Sequence, residues 1–393
     1  MGIAVLPRES ALTTGKRPCR RIALMFAGGT IDSDCTRNGR AVNPSYAQNR
    51  YLEIVRSLKQ VCPGHDIELK APPYRIDSSQ LTPEKLPELI SKLNDLLFGS
   101  CEAYDAVVVT FGTDTLSWAL PAVATAFGAE FRKCVVFASA MSSWQDGRDG
   151  KKNLIDAVRV AASGLFSGVL TVSGGLFLGS TNLHKVSHDA VVPFCQHDFD
   201  PLAKSEQFFD VLKGLLNPGR SIEEALAANL RVSTSPPIDL NQMYAGQEFK
   251  AVVAHQLVSP GLKTDTIAHL ADDGYEHVIL HCYANGTACV EEGPYSVATG
   301  ISRLRKAGVA VYGVSQQDGV VAPDQYKVGK SLVDAGCLFV TRFNAETLHA
   351  VLIVASAMVK DTERVLAIIE RAERELSTRA LLDLGSLSRT VKN

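Results

Sequence analysis

The chain has no CxxC pair, no excess of charge of either sign and no apolar run long enough to cross a membrane. Forty Lys and Arg face 42 Asp and Glu, a formal net charge of −2 at pH 7. That near-balance offers no field for a polyanion, so no nucleic-acid partner is expected. The basic clusters Lys16–Arg21 and Lys151–Lys152 read as solvated surface. Nine cysteines are scattered without paired spacing, which reads as free thiols in a reducing compartment. The first residues lack the apolar core of a secretory signal, so a cytoplasmic location without a membrane partner is expected. Three motifs are also missing: GxGxxG, the lysine that follows the glycines of a P-loop, and the GxSxG serine elbow. Their absence argues against dinucleotide binding, a P-loop nucleotide site and a serine-elbow hydrolase.

What remains is a chain of 393 residues, 46% hydrophobic, with ample material for two domains. Apolar runs at Ile22–Ala27, Ala106–Phe111 and Cys134–Ser139 read as buried strands. Helical patterns at Pro83–Leu97 (with Thr82 as cap), Thr115–Ala126 and Lys151–Ala162 alternate with them. Gly168–Val172 and Leu176–Leu178 flank a Gly174-Gly175 turn. Cys35–Arg50 reads as a polar loop. The same alternation restarts after the proline-rich stretch Asn217–Gln242, with strands at Ala251–Gln256, His277–Tyr283, Val309–Val314 and Cys337–Val340. The fold class is therefore α/β with mainly parallel sheets. Residues 21–215 are expected to form an N-terminal catalytic α/β domain, 216–245 the connection, and 246–393 a C-terminal α/β domain. The tail Lys360–Glu375 has helical spacing and reads as a solvated amphipathic cap on the second domain.

Two short segments carry the chemistry. Ala27-Gly28-Gly29-Thr30-Ile31 ends the first strand, and Phe111-Gly112-Thr113-Asp114-Thr115-Leu116 ends a later one. Strand ends are where open α/β sheets bind ligands. Gly28-Gly29 permits a sharp turn and presents the Thr30 hydroxyl; the alternative is an ordinary turn with Thr30 as a cap. Thr113 and Asp114 suit a water or an ammonium group, or else cap the helix that follows. A hydroxyl nucleophile needs a proton acceptor. His184, His188 and His197 are candidates but read as hydrogen-bonded surface residues, and Lys185 is the alternative. Asp32 and Asp34 read as solvent-facing acids at a turn, and no metal is expected.

The two segments resemble the paired signatures of the bacterial-type L-asparaginases. Asp77-Ser78-Ser79, Asp149-Gly150 with Asn153-Leu154, Lys185, Pro260-Gly261, Ser315-Gln316 and Asp334-Ala335-Gly336 match in order, so the resemblance runs from about Arg21 to Ala355. The cytoplasmic type I branch is the nearest in its Asp77-Ser78-Ser79 form. The resemblance implies a larger N-terminal catalytic domain, a smaller C-terminal one and a homodimer or homotetramer. The implied substrate is a small amino-acid amide, L-asparagine hydrolysed to L-aspartate and ammonia without a cofactor. It makes Thr30 the nucleophile and Thr113, Lys185 and Asp114 its relay, with Asp114 also holding the α-ammonium. Ser78 and Ser79 would hold the α-carboxylate. Backbone amides near Thr113 and Ala138 would meet the oxyanion.

The chain departs from the pattern at several places. Ala27 stands where threonine is usual, Phe111 where histidine is frequent, and Ala138-Ser139-Ala140 where Gly-Ser-Gln is usual. Arg40 aligns with the loop tyrosine that supports the nucleophile, and Tyr46 would serve only in a longer loop. His281 replaces an arginine. These departures leave two other readings open. One is a different amide hydrolase on the same scaffold: a glutaminase, a D-amino-acid amidase or the amidase component of a transamidation complex. The last normally carries an added N-terminal domain, and about twenty residues precede the first strand here, so it ranks low. The other reading is a non-catalytic amino-acid sensor.

Overall fold

The computed structural model describes residues 19–36, 39–42, 48–99, 103–128, 131–146, 148–164, 166–196, 203–204, 250, 252–317, 319–359 and 361–374. The chain order is β1 (Arg21–Phe26), a hairpin of β2 (Ser33–Thr36) and β3 (Gly39–Val42), α1 (Gln48–Val61), β4 (Asp66–Lys70), α2 (Lys85–Phe98), β5 (Ala106–Thr110), α3 (Leu116–Phe127), β6 (Cys134–Ala138) and α4 (Asp149–Ser163). There follow β7 (Gly168–Ser173), β8 (Leu176–Gly179), β9 (Leu183–Lys185), β10 (Phe194–Gln196) and β11 (Ala203–Lys204).

Strand β1 shows why this half folds as layers. Ile22, Leu24 and Phe26 enter one core while Ala23 and Met25 enter the other, so both faces are buried. Helices α1 and α4 supply apolar residues to the first core, α2 and α3 to the second. The sheet has seven strands in the order β11-β8-β7-β6-β5-β1-β4. Strands β4, β1, β5, β6 and β7 are parallel; β8 and β11 run antiparallel to their neighbours. After β1 the chain first goes to β4 on one side and then returns to β5 on the other. That reversal opens a crevice at the carboxyl ends of β1 and β5, where an open α/β sheet binds its ligand.

The second half is smaller. Strands β12 (Val253–Leu257), β13 (His277–Cys282), β14 (Ala310–Ser315) and β15 (Cys337–Phe339) form a parallel sheet in chain order. Helices α5 (Thr264–Ala268), α6 (Val297–Lys306) and α7 (Lys327–Asp334) pack on one face, and α8 (Ala345–Met358) follows the last strand. Helix α8 is apolar nearly all round and buried at Leu348 and from Ala350 through Ala355, as such a helix must be. It packs on α3 and shares one continuous core with Ile279 and Tyr312 of the smaller sheet, so it joins the two halves.

The expected α/β architecture with two domains is what the structure has. Four local readings change. Part of the Cys35–Arg50 loop is the β2–β3 hairpin. Helix α1 is an addition, although Tyr51, Ile54, Val55 and Leu58 recur at helical spacing and are all buried. Helix α2 begins at Lys85, and Thr82 contributes only its backbone carbonyl to the entering turn. The expected amphipathic helix forms over 362–374 with its charged face exposed, but it is not merely a cap on the second domain: Val365, Ile369 and Ala372 are buried in the shared core. The expected connection over 216–245 lies outside the described residues, and so do both domain boundaries beside it. Among the described residues no helix is long and apolar enough to cross a membrane.

One buried histidine makes the smaller half sensitive to acid. His277, only 5% exposed, bonds Ser356 Oγ at 2.8 Å through Nε2 and lies beside the Tyr312 hydroxyl. Burial pushes its pKa down to about 4 from an ordinary 6.5. The folded state then binds fewer protons than the unfolded state below pH 6.5. This contribution to stability is complete above that pH and fades as pH falls towards 4, by about 3 kcal/mol in all. In denaturant titrations at pH 7.5 and 4.5, His277→Gln is expected to lose most of that difference. An equal acid-induced loss in both proteins contradicts the assignment.

Candidate active site

The first motif leaves β1 through two glycines that no other residue could replace. Gly28 and Gly29 have φ of +117° and +78°. A Cβ on Gly28 would overlap the Ile76 carbonyl, and one on Gly29 would overlap the Phe111-Gly112 backbone. A Cβ on Gly112 would overlap the Ser78 side chain. Three segments distant in sequence are therefore pressed together at the crevice. Ile76 N–H donates to Ala27 O at 3.1 Å, and Gly29 N–H donates to Ile76 O at 3.3 Å. Thr30 opens the 3-10 turn Thr30–Asp32 directly after this contact.

The second motif is held by Ser78. The Ser78 Oγ accepts from Asp114 N–H at 3.3 Å, and its carbonyl accepts from the Thr115 hydroxyl at 2.8 Å. Neither Thr113 nor Asp114 caps α3: the capping position is Thr115, without a side-chain bond to the helix. Both side chains face Lys185 instead. Its Nζ donates to Thr113 Oγ1 at 2.8 Å and to Asp114 Oδ1 at 2.5 Å. Thr113 is 5% exposed and Asp114 is open to solvent, so a buried hydroxyl and an accessible carboxylate share one ammonium.

Of the residues singled out from the sequence, the structure brings together Thr113, Asp114, Lys185 and Ser78. It sets the Thr30 turn against the same backbone. Ser79 is exposed; its N–H and hydroxyl both donate to Asp77 Oδ1. Ala138 ends β6, and its carbonyl accepts from Phe111 N–H at 3.0 Å beside the second motif. Arg40 lies in β3 opposite Cys35. Tyr46 and His197 lie outside the described residues. His188 is exposed. His184 bonds Glu346 at 2.5 Å, which raises the imidazole pKa and lowers the carboxyl's despite its burial. Among the described residues no group of His, Cys, Asp or Glu is arranged to hold a metal ion.

The reading of Asp32 as solvent-facing is overturned. Its carboxylate is fully buried, accepts from Arg75 at 2.6 Å and receives the Tyr51 hydroxyl at 2.5 Å. Arg75 also donates to the Tyr51 oxygen and lies over its ring. Asp34 pairs with Arg50 at 2.5 Å. Sequence reasoning misses this support because its partners sit 19 and 43 residues downstream. The departures from the signature are also packed. Ala27 is buried and lends its carbonyl to Ile76, while Phe111 meets Phe137 edge-on at 5.7 Å.

Comparison with known proteins places these features. Residues 21–213 match the family model described as "Asparaginase, N-terminal". The thermostable L-asparaginase from Thermococcus kodakarensis superposes with a TM-score of 0.70 at 20% identity, over 91% of this chain and 98% of that one. L-asparaginase I from Vibrio cholerae gives 0.69 at 19% identity, over 90% and 97%. A curated relative from Pyrococcus abyssi, a subunit of glutamyl-tRNA(Gln) amidotransferase, is 24% identical over 90% of this chain and 76% of its own length. A "Probable L-asparaginase" from Deinococcus radiodurans is 30% identical over 44% of this chain and 50% of its own. The chain has the asparaginase fold. The expected affinity to the type I branch is not what the whole-length curated relatives show: the amidotransferase name recurs among them.

Proposed function

We propose that this chain, built on the asparaginase fold, hydrolyses the side-chain amide of a small amino acid and releases ammonia. The observation that carries the reading is Lys185 bridging Thr113 and Asp114 at the crevice where the Thr30 turn meets the second motif. In this scheme the Thr30 hydroxyl attacks the amide carbon, ammonia leaves, and a water then cleaves the acyl ester. Lys185 and Thr113 hold and pass the proton. Asp114, exposed and already paired with one ammonium, is placed to receive the α-ammonium of the substrate. Ser78 accepts from Asp114 N–H and still has a hydroxyl proton to donate to the α-carboxylate, with Ser79 beside it. Amides near Thr113 and Ala138 are the candidates for the oxyanion. The scheme uses no cofactor, and we extend it to a homodimer or homotetramer by analogy with the fold.

A second reading is that the released ammonia serves a transamidation complex, with this chain as its amidase component. The recurring name of the whole-length relatives favours it. The choice between L-asparagine and L-glutamine separates the variants. Ammonia release from purified protein is compared for L-asparagine, L-glutamine and D-asparagine at neutral pH. Release from one L-amide above the others supports the proposal and names the substrate. No release from any of them by folded protein overturns free amide hydrolysis.

A further inference from the structure

Lys185 stands on a weak piece of scaffold. Strand β9 has three residues and, among the described residues, pairs only with the three of β10, in a two-stranded ribbon outside the seven-stranded sheet. A two-stranded ribbon is marginal by itself. Yet the Lys185 Nζ must meet two oxygens at the end of β5 within ordinary hydrogen-bond distance. Something else fixes the entry to β9, and it comes from the other half of the chain.

Asn182 precedes β9 with φ +57°, one of two non-glycine residues with positive φ among the described residues. It is 1% exposed. Its N–H donates to Thr347 Oγ1 at 2.8 Å. Its Nδ2 donates to the Arg342 carbonyl at 2.6 Å, and its Oδ1 accepts from Asn344 N–H at 2.9 Å. Asn344 then donates through Nδ2 to the Leu183 carbonyl at 3.1 Å and accepts from Thr347 N–H at 3.0 Å, as the cap of α8. Glu346 adds the bond to His184. The first turn of α8 and the entry to β9 are therefore one hydrogen-bonded unit, closed across about 160 residues of sequence. A buried polar network whose members are satisfied specifies one geometry.

We infer that Asn182 is a positioning residue: through Asn344 and the first turn of α8 it lets the C-terminal half set where the Lys185 ammonium points. The inference rests on the proposed role of Lys185. The bonds of Asn182 go to Thr347, Arg342 and Asn344, not to Thr30, Thr113, Asp114 or Lys185, so its inferred effect on turnover runs through Lys185. A strained asparagine, its side-chain amide engaged at both ends, is the residue that joins the two halves at this point.

The test uses Asn182→Gly in the full chain, because glycine keeps the positive φ and deletes only the side-chain bonds. Four proteins are compared for ammonia release: wild type, Asn182→Gly, Lys185→Ala and the double variant. The single variant is expected to lose at least tenfold in kcat with KM changed less than threefold. In the Lys185→Ala background the same substitution is expected to change kcat by less than twofold, because the residue through which it acts is gone. Additive losses, or a loss confined to KM, overturn the inference. A second readout does not depend on turnover. Brief treatment with an amine-acylating reagent, followed by peptide mass spectrometry, is expected to label Lys185 at least threefold faster in Asn182→Gly, with Lys59 as the internal standard. Unchanged labelling of Lys185 also overturns it. A wild type that releases no ammonia from any amide defeats the proposed function, and the labelling experiment still decides the clamp.

Discussion

Thr30→Ala is expected to lower ammonia release by about three orders of magnitude or more while the protein stays folded. Two features of the site, taken with the proposed scheme, lead to that result. The backbone around Thr30 is held by contacts that do not involve its hydroxyl: the Gly28-Gly29 approach to Ile76 and Gly112, and the buried Asp32 two residues on. Removing Oγ1 therefore leaves the turn in place, and a circular-dichroism melt is expected to shift by no more than a few degrees. Chemistry is another matter. Thr113, a second hydroxyl at the crevice, already accepts from Lys185, and in the proposed scheme it passes the proton and does not attack. Among the described residues no second partner is arranged to make it an attacking group once Thr30 is gone. Thr30→Ser keeps the hydroxyl and is expected to retain measurable turnover. Wild-type turnover in Thr30→Ala would remove Thr30 from the nucleophile's role and move attention to Thr113.

The layers are readable in the sequence because their signal is local. The alternation of buried runs with helical spacing follows from side-chain period alone, and it places β1, β5 and β6 within a residue or two. The two glycine-threonine motifs are also visible, since positive φ at a strand end leaves few residue choices. What holds them in place is not visible. Arg75 and Tyr51 look ordinary in sequence, and their importance arises only when β4 pairs with β1 and α1 packs Tyr51 onto Phe26. Asn182 is likewise one asparagine among many until α8 closes on it. Thr113 and Asp114 sit at a helix start, where capping is the ordinary use of such residues. Their actual partner, Lys185, lies about seventy residues away on a strand too short to carry a pattern. Local propensity predicts elements; the alignment of functional side chains depends on contacts that close long loops.

The largest expected stability change is at Arg75, which makes the support of the Thr30 turn measurable. Asp32 is fully buried and Arg75 is 9% exposed, so neither charge is relieved by water. Burial raises the Asp32 carboxyl above its ordinary pKa, and the bonds from Arg75 and Tyr51 pull it back. Arg75→Met deletes the cation but nearly preserves the aliphatic volume. The carboxylate then keeps the Tyr51 hydroxyl, whose own pKa burial already pushes up, and the more distant charge of Arg50. Stranding one member of a buried pair costs about 3–5 kcal/mol, several times what an exposed pair contributes. Urea unfolding at pH 7 is expected to show that loss. Neutralising the partner as well, in Arg75→Met with Asp32→Asn, removes the stranded charge and is expected to restore more than half of it. A loss below about 1 kcal/mol in the single variant would show that water reaches Asp32 and that the pair does not support the turn. If the loss appears, turnover should fall in the same variant at temperatures well below its melting point. The 3-10 turn that ends at Asp32 begins at Thr30, so a carboxylate pulled towards solvent would displace the turn that carries the proposed nucleophile.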